Sequence, residues 1–482
     1  MKIDQRILIV VLLVTGVVMG LVQVFLIPPF QNPDEIQHFL YTAVYAYPAQ
    51  QMETTAARLL ELLKEYKWFH FVGIGPGWEN IKKISDISFV FHFDPDRKSA
   101  RRTFFHFLYG KILKISGITD VLTAFYFLRL VSTVFFIVVL FLISWFFRTY
   151  FPRTWEYYLP GFILVFQVIT IMNSVNYDVF MVLFGSIFFI FAYKYIQSEK
   201  KTELAVLLIA AAVAALTKLV GIMFFVYLFI LTCMTVKWDW KRVKNFLFIL
   251  LMVVLGFCWM NYLFPGRFFN LYSVIFGVWQ DVLGSPASGE RVLRLSLFDS
   301  MADSFYFHIG WMGFKLSGFW YLVLKIFLLF SLVGVFSGLF LKRGVGDPNP
   351  FTVRQMPFFR SFIPKVCRKN KVSEGISKRM EVQGLEKKWL IYSLIVCVLH
   401  TFSIWFYYGS RQTVQGRYLY PVIIPIIILV YTGLQYFQQW FCWKRDYLVI
   451  VYIIFQVVLV VFAITRIISV FYLEMASPHP GL

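Results

Sequence analysis

The chain has 482 residues, of which 59% are hydrophobic and only 15% are charged, and its formal net charge is +20. Because soluble domains carry roughly 25% charged residues, this composition excludes an ordinary globular enzyme and predicts a polytopic membrane protein. The positive charge is concentrated in segments predicted to be cytoplasmic, as the positive-inside rule requires, so we expect no nucleic-acid partner.

Apolar runs long enough to cross a bilayer recur along the chain, and we count about eleven. The first, roughly 7–27, follows Lys2 and Arg6 and has no small-residue cleavage site after it. We therefore expect it to be a retained signal anchor that lies in the cell membrane and leaves the N-terminus in the cytoplasm. The others lie at roughly 121–147, 157–175, 179–196, 204–236 (two short legs), 245–264, 319–341, 389–407, 419–441 and 447–471. The predicted fold class is all-α, a single polytopic transmembrane domain covering 1–482.

Three long connections join these spans. The first outer loop, 28–120, contains an amphipathic stretch at 54–66, which would lie either on the membrane surface or on a neighbouring element. A basic and aromatic stretch at 97–109 is expected to re-enter the membrane surface. A second outer loop covers 265–318. The strongly basic loop 342–388 is predicted to be cytoplasmic, either resting on anionic headgroups or serving as a solvated connector.

The cysteines predict no disulfide framework. All of them fall in predicted spans, at a span end or in the predicted cytoplasmic loop, and none falls in an outer loop. They are Cys233, Cys258, Cys367, Cys397 and Cys442.

The stretch directly after the first span carries the strongest functional signal. It reads Pro28-Pro29-Phe30-Gln31-Asn32-Pro33-Asp34-Glu35-Ile36-Gln37-His38. Its prolines stop the helix where the chain leaves the lipid. Two adjacent acids follow, and if a new helix starts near Asp34, then Asp34 and His38 share a face. Adjacent acids at a membrane surface do little for stability, so this pair indicates a functional site.

Other polar residues fall at span ends predicted to lie on the same face of the membrane. They are Asn176 and Asp178, Lys218 at the break in the 204–236 hairpin, His308, and Arg411, Gln415 and Arg417. Cations there could hold a phosphate, and a carboxylate could take a proton from a hydroxyl. Simpler interpretations remain open: Asp178 could cap its helix, His308 could be structural, and the cations could be interfacial anchors.

Five sequence blocks occur in this order in a large family of predicted polytopic membrane proteins that resembles the GT-C glycosyltransferase superfamily. The blocks are Pro29-Phe30-Gln31-Asn32-Pro33-Asp34-Glu35-Ile36-Gln37-His38, Asn176-Tyr177-Asp178, Ala215-Leu216-Thr217-Lys218, Phe307-His308-Ile309-Gly310-Trp311 and Val414-Gln415-Gly416-Arg417-Tyr418-Leu419-Tyr420-Pro421. One departure is Met312, which stands where the pattern leads us to expect an acid.

The resemblance implies a sugar donor carried on a polyprenyl phosphate or diphosphate. It also implies a catalytic acid at Asp34 with Glu35 adjacent, a second acid at Asp178, and a cation near the donor phosphate at Lys218. We therefore expect an inverting glycosyltransferase in the cell membrane that acts on a glycan, lipid or protein acceptor at the outer face.

In this hypothesis the residues divide by role. The catalytic residues would be Asp34 and Glu35, and the substrate-binding residues would be His38, Asn176, Asp178, Lys218, Arg411, Gln415 and Arg417. No cofactor is required, although Asp34 with Asp178 could hold a divalent metal ion. The alternatives are a polymerase or transporter of lipid-linked oligosaccharides, or a membrane scaffold without enzymatic activity.

Overall fold

The computed structural model describes most of the predicted membrane segments. The described residues are 5–71, 80–84, 103–152, 154–235, 318–340, 384–408, 415–440 and 446–473, with 244, 251, 304–305, 308–309, 314–315 and 443. The predicted span 245–264, nearly all of the second outer loop and the basic connection therefore lie outside the described residues. The same holds for the side chain of His308 and for all of Arg411.

The described part is almost entirely helical, which confirms the all-α class. In chain order its helices are α1 Gln5–Leu26, α2 Glu35–Ala46, α3 Ala49–Glu65, α4 Trp68–Phe71, α5 Phe104–Ser116, α6 Val121–Tyr150, α7 Trp155–Ile163, α8 Phe166–Met172, α9 Asp178–Ser198, α10 Lys201–Thr217, α11 Met223–Thr235, α12 Gly318–Phe340, α13 Gly384–Tyr408, α14 Ile423–Trp440 and α15 Tyr447–Ile468. Short 3-10 helices cover Leu219–Ile222 and Gly416–Val422. A two-residue strand, β1 (His308–Ile309), pairs antiparallel with β2 (Phe314–Lys315).

Seven helices of the described part are long and apolar enough to cross a membrane, or eight if one bent pair counts as a single span. The described part is thus that of an all-α polytopic membrane protein. The two legs of the predicted hairpin, α10 and α11, have 17 and 13 residues, so each is short for a crossing. The total of about eleven spans and the single-domain organisation stay predictions.

The third predicted span, 157–175, is not one continuous helix. It consists of α7 and α8, which meet at a bend of 60° after Ile163. Leu164 and Val165 at the bend are neither proline nor glycine, and Pro160 lies further back inside α7.

The amphipathic helix of the first connection lies against its neighbours. Leu59, Leu62 and Leu63 of α3 are completely buried, and the helix packs on α2, α4 and α6. Of the two interpretations that the sequence allowed, the structure shows packing onto neighbouring elements. The basic and aromatic stretch is described from Thr103 onward, where it forms α5, which packs along α2.

Close backbone contacts position the last helices of the described part. The contact between α12 and α14 is extensive, and a Cβ at Gly334 would lie 1.9 Å from the carbonyl oxygen of Gly433. Small residues permit such approaches between membrane helices. Likewise, a Cβ at Gly185 of α9 would lie 2.2 Å from the carbonyl oxygen of Pro421. Gly185 therefore lets the 3-10 helix Gly416–Val422 pack directly against α9.

Candidate functional site

The candidate site lies at one end of the helix bundle. Here α1 ends, α2 and α9 begin, α10 ends, and the 3-10 helix Gly416–Val422 leads into α14. Because successive helices run in alternating directions, these termini meet, and ion pairs join them. They bring together four of the residues predicted from the sequence, which are Asp34, Asp178, Lys218 and Arg417.

These four residues form a continuous chain of opposite charges. The guanidinium of Arg417 forms a salt bridge with Asp34, and its Nε lies 3.8 Å from Oδ2 of Asp178. Lys218 Nζ donates to Oδ1 of Asp178 at 2.6 Å. The formal charges of the four groups sum to zero. The Arg417 side chain is only 5% exposed, whereas Asp34 is 26% exposed, so Asp34 is the more accessible end of the chain.

Lys218 is buried at the break between α10 and the following 3-10 helix, where the sequence placed it. Its Nζ lies 4.4 Å from the ring centroid of Tyr177 and 4.3 Å from that of Tyr418. Burial lowers the pKa of Lys218 to about 8, and the Coulombic effect of Arg417 acts in the same direction, against the pull of Asp178. The lysine therefore finds its partner, Asp178, inside the protein.

The backbone at Asp34 has an unusual conformation. Its φ is 63°, in the left-handed region, and the residue stands directly before the first turn of α2. Aspartate tolerates this region better than most side chains do. Although Asp34 occupies the N-cap position, its side chain makes no capping hydrogen bond. The carboxylate thus remains free to face Arg417.

Glu35 requires a correction. The sequence marked it as a catalytic residue beside Asp34, but its side chain is fully buried and pairs with Arg129. Arg129 Nε and Nη2 donate to its two oxygens at 2.9 and 2.7 Å, and the backbone N–H groups of Asn32 and Val175 donate to them as well. Both oxygens are saturated by contacts that hold the fold together. We therefore replace the catalytic interpretation of Glu35 with a structural one.

Arg129 is the anchor that sequence reasoning missed. It is fully buried in α6, and its Nη1 donates to the carbonyl oxygens of Val24 and Ile27 at the end of α1. Its Nη2 also donates to the carbonyl of Pro28. A helix end leaves such carbonyls without partners inside the helix. The signal was available, since an arginine in the interior of an apolar helix, away from its ends, demands a partner.

Asn176 and Asp178 both stand at the start of α9, where their side chains make different contacts. The side chain of Asn176, not that of Asp178, accepts the backbone N–H at the start of α9, at 2.9 Å from Asp178 N. Asn176 Nδ2 also donates to the carbonyl of Pro33 at 3.0 Å. Asn176 therefore joins the start of α9 to the Asp34 segment, and its substrate-binding role stays a prediction. The Asp178 carboxylate does not cap its helix and points to Lys218.

His38 lies one turn after Asp34, and its backbone N–H donates to the Asp34 carbonyl at 3.0 Å. No hydrogen bond joins these two described side chains, although the spacing predicted a shared face. His38 Nδ1 instead lies 2.9 Å from Nε2 of His106, a residue of α5 that the sequence analysis did not single out. Burial, followed by the charges of Arg417 and Lys218, lowers the pKa of His38 well below its usual value.

Several buried polar atoms at this end of the bundle have no hydrogen-bond partner within the described protein. They are Nε2 and Oε1 of Gln31, Oδ1 of Asn32, Nε2 of His38, Oδ2 of Asp178, Oε1 of Gln415, and Nε and Nη1 of Arg417. Native interiors leave few such groups unsatisfied, so a concentration of them needs an explanation. Donors and acceptors are both present, which suits a ligand that carries hydroxyl groups and an anionic group.

The fold and the site together define a helical membrane protein with a buried, charge-balanced cluster at one end of its bundle. No protein-family profile, curated protein or solved structure matches this chain. Within the described residues no group of three or more His, Cys, Asp and Glu side chains is placed to hold a metal ion. Function must therefore be inferred from the chemistry of the cluster.

Proposed function

We propose that this protein is an integral-membrane glycosyltransferase that moves a sugar from a polyprenyl-phosphate or diphosphate donor to an acceptor at the outer face of the cell membrane. The observation that supports it is the buried chain Asp34–Arg417–Asp178–Lys218 at one end of a bundle of membrane helices. Sugar transfer from a lipid phosphate needs a base for the acceptor hydroxyl and cations for the leaving phosphate.

The two cations would receive the donor phosphate. Arg417 has Nε and Nη1 without hydrogen-bond partners, and a guanidinium matches two oxygens of one phosphate. Lys218 supplies a point charge that the rings of Tyr177 and Tyr418 hold in place. Because the site is buried, each charge acts more strongly on a developing negative charge than it would in water.

Asp34 would be the general base. It is the more accessible acid of the cluster, and Arg417 forms a salt bridge with it. When Arg417 turns to the donor phosphate, the Asp34 carboxylate is released. It then takes the proton of the acceptor hydroxyl as that oxygen attacks the anomeric carbon. The bond from that carbon to the phosphate oxygen breaks on the opposite face, its electron pair leaves with the lipid phosphate, and the configuration inverts.

The remaining unpartnered atoms would hold the sugar. Gln31 and Asn32 precede Asp34 in the chain and Gln415 precedes Arg417, and the amide of each has a buried atom without a hydrogen-bond partner in the described protein. Amide side chains both donate and accept, and sugar hydroxyls need both functions. Asp178, which lies between Lys218 and Arg417, would hold the two cations in position.

The test uses purified Asp34→Asn protein and a labelled polyprenyl-phosphate sugar. We expect transfer to fall by at least about 100-fold, because a positioned base contributes roughly 10²–10⁴-fold to such a step. Glu53→Gln on the exposed side of α3 is the matched control and is expected to keep its activity. Undiminished transfer by Asp34→Asn would end the assignment of Asp34 as the base, and no transfer by the wild type from any polyprenyl-phosphate sugar would end the proposal as a whole.

A transporter or polymerase of lipid-linked oligosaccharides is the second candidate, and the broken helices favour it. The bent pair α7 and α8 leads into Asp178, and the break after α10 carries Lys218. Interrupted helices mark substrate sites in many transporters. A transporter would move a fluorescent lipid-linked oligosaccharide across proteoliposomes without changing its mass. In a polymerase, Arg417→Ala would shorten the extracellular polysaccharide more than Asp34→Ala does.

A further inference from the structure

Two buried histidines from distant parts of the chain form a linear arrangement that ends at the candidate site. His106 Nδ1 lies 3.0 Å from the backbone nitrogen of Thr103, the residue before α5. His106 Nε2 lies 2.9 Å from Nδ1 of His38 on α2. The two ring planes are inclined by only 23° to each other, and the ring centroids lie 5.1 Å apart. Both side chains are almost completely buried, at 0% and 3% exposed.

The start of α5 determines which nitrogen of each ring carries its proton. A backbone N–H can only donate, so Nδ1 of His106 accepts from Thr103 and is unprotonated. In the neutral ring, Nε2 of His106 must then carry the hydrogen and donate it to His38 Nδ1. His38 is therefore left with its own hydrogen on Nε2. The low pKa of His38, caused chiefly by burial, keeps this ring neutral.

The Nε2–H of His38 is a buried donor with no partner in the described protein. It lies on the opposite edge of the ring from the contact with His106. Helical side chains lean toward the N-terminus of their helix, so the His38 ring lies over the turn that begins with Asp34. The ring also packs edge-on against Tyr177, with centroids 4.2 Å apart, and Tyr177 in turn contacts Lys218.

The geometry points to a third phosphate ligand: the Nε2–H of His38 donates to an oxygen of the donor phosphate beside Arg417 and Lys218, and His106 is the positioning residue that fixes the required tautomer. This inference rests on the proposed function and names the group that the site recognises. His38 adds a directional donor without adding charge, because its ring is neutral. The backbone N–H of Thr103 at the start of α5 is thus linked, through His106 and His38, to recognition of the phosphate.

The tautomer can be measured without any ligand. In protein labelled with ¹⁵N-histidine, the His38 signals are identified among the seven histidines by their loss in His38→Gln. We expect Nε2 to be protonated and Nδ1 to be unprotonated in the resting wild type. In His106→Phe, which removes the donor to Nδ1, we expect the His38 signals to show a mixture of tautomers. A resting His38 with its hydrogen on Nδ1 would overturn the relay, whatever the protein binds.

The phosphate contact is tested by adding undecaprenyl phosphate in detergent, and in a parallel sample inorganic phosphate alone. We expect the His38 Nε2 signal to shift with the lipid phosphate. A shift with inorganic phosphate as well supports the contact and assigns recognition to the phosphate group itself. If the wild type binds undecaprenyl phosphate while the His38 signal stays unchanged, the role of His38 is wrong but the proposed function stands. If the wild type binds neither compound, the proposed function fails.

Substitutions distinguish a hydrogen-bond donor at position 38 from a side chain that only packs there. Since a hydrogen bond to a charged group is worth about tenfold or more in affinity, His38→Phe should raise the Kd for undecaprenyl phosphate by about that factor. His38→Gln, whose amide reaches the Nε2 position, should bind more tightly than His38→Asn. His106→Gln should likewise bind more tightly than His106→Phe. Tyr158→Phe, which removes a buried hydroxyl contact with Thr432, is the control and should bind as the wild type does. Equal affinities for the Gln and Asn variants of His38 would overturn the directional contact.

Discussion

At the scale of single residues, the protein distinguishes two neighbouring acids by what surrounds them. Asp34 is partly exposed and contacts one cation of the cluster, whereas Glu35 is fully buried and saturated by Arg129 and backbone N–H groups. A group with all its acceptor positions filled is poorly suited to take up a proton. The same reasoning distinguishes the two arginines. Arg129 donates to Glu35 and to backbone carbonyls, whereas Nε and Nη1 of Arg417 have no hydrogen-bond partner in the described protein.

Replacing Lys218 with methionine should weaken phosphate binding and also destabilise the protein. The substitution removes a phosphate ligand and leaves Asp178 as a buried carboxylate without its lysine. We expect the Kd for undecaprenyl phosphate to rise by at least about tenfold, as for loss of a hydrogen bond to a charged group. Lys194→Met, at the other end of α9, is the matched control.

The double variant Lys218→Met/Asp178→Asn separates the two effects. Removing both charges should restore the thermal unfolding temperature, because no uncompensated charge stays buried. Phosphate binding should stay as weak as in the single variant Lys218→Met. Recovery of binding in the double variant would show that Lys218 only neutralises Asp178 and does not contact the ligand.

Phosphate binding should depend on pH through Lys218. Burial lowers the pKa of this lysine to about 8, so its positive charge is present below that pH and is lost as the pH rises through it. We expect the affinity for undecaprenyl phosphate, measured from pH 6.5 to 9.5, to fall above about pH 8. Lys218→Arg keeps its charge throughout this range, so its profile should be flat. An equal fall in both proteins would exclude Lys218 as the titrating group.

At the scale of helices, the site depends on where elements end. Prolines stop α1, the Asn176 side chain accepts the first backbone N–H of α9, and α10 ends directly before Lys218, so Asp178 and Lys218 both stand at helix ends. Arg129 joins the end of α1 to the start of α2, because it binds the last carbonyls of α1 and the first residue of α2. The helix ends are consequently held by one buried ion pair.

Breaking the ion pair of Glu35 with Arg129 should lower the stability of the bundle more than it lowers the rate of sugar transfer. Glu35→Gln leaves Arg129 as an unpaired buried charge, which typically costs about 3–5 kcal/mol. We expect a clear fall in the thermal unfolding temperature in detergent. The double variant Glu35→Gln/Arg129→Met should recover much of it. Glu61→Gln, which breaks an exposed pair with Arg58, should leave the unfolding temperature unchanged. A stable but inactive Glu35→Gln would instead restore the catalytic interpretation of Glu35.

At the scale of the whole molecule, the placement of the cluster on one face of the membrane stays a prediction from charge distribution. The helix α3 packs against α2, which begins directly after Asp34, and position 200 lies just past the end of α9, the helix whose first residue is Asp178. A cysteine at position 53 should therefore react with an impermeant maleimide on intact cells, and one at position 200 should react only after lysis. Glu53→Cys and Lys200→Cys are compared with the unsubstituted chain. The reverse pattern would place the site in the cytoplasm.

The sequence by itself determined the helical class, most span positions in the described part and the helix break at Lys218. These features are local, because apolar runs, prolines and lone charges act within one or two turns of the chain. It also marked the polar residues that meet at the cluster. Only the tertiary structure decided which acid pairs with which cation, since Asp34 and Arg417 are 383 residues apart. The bend between α7 and α8 and the contact of His38 with His106 were decided in the same way. Such pairings depend on how distant helices pack, which no local pattern encodes.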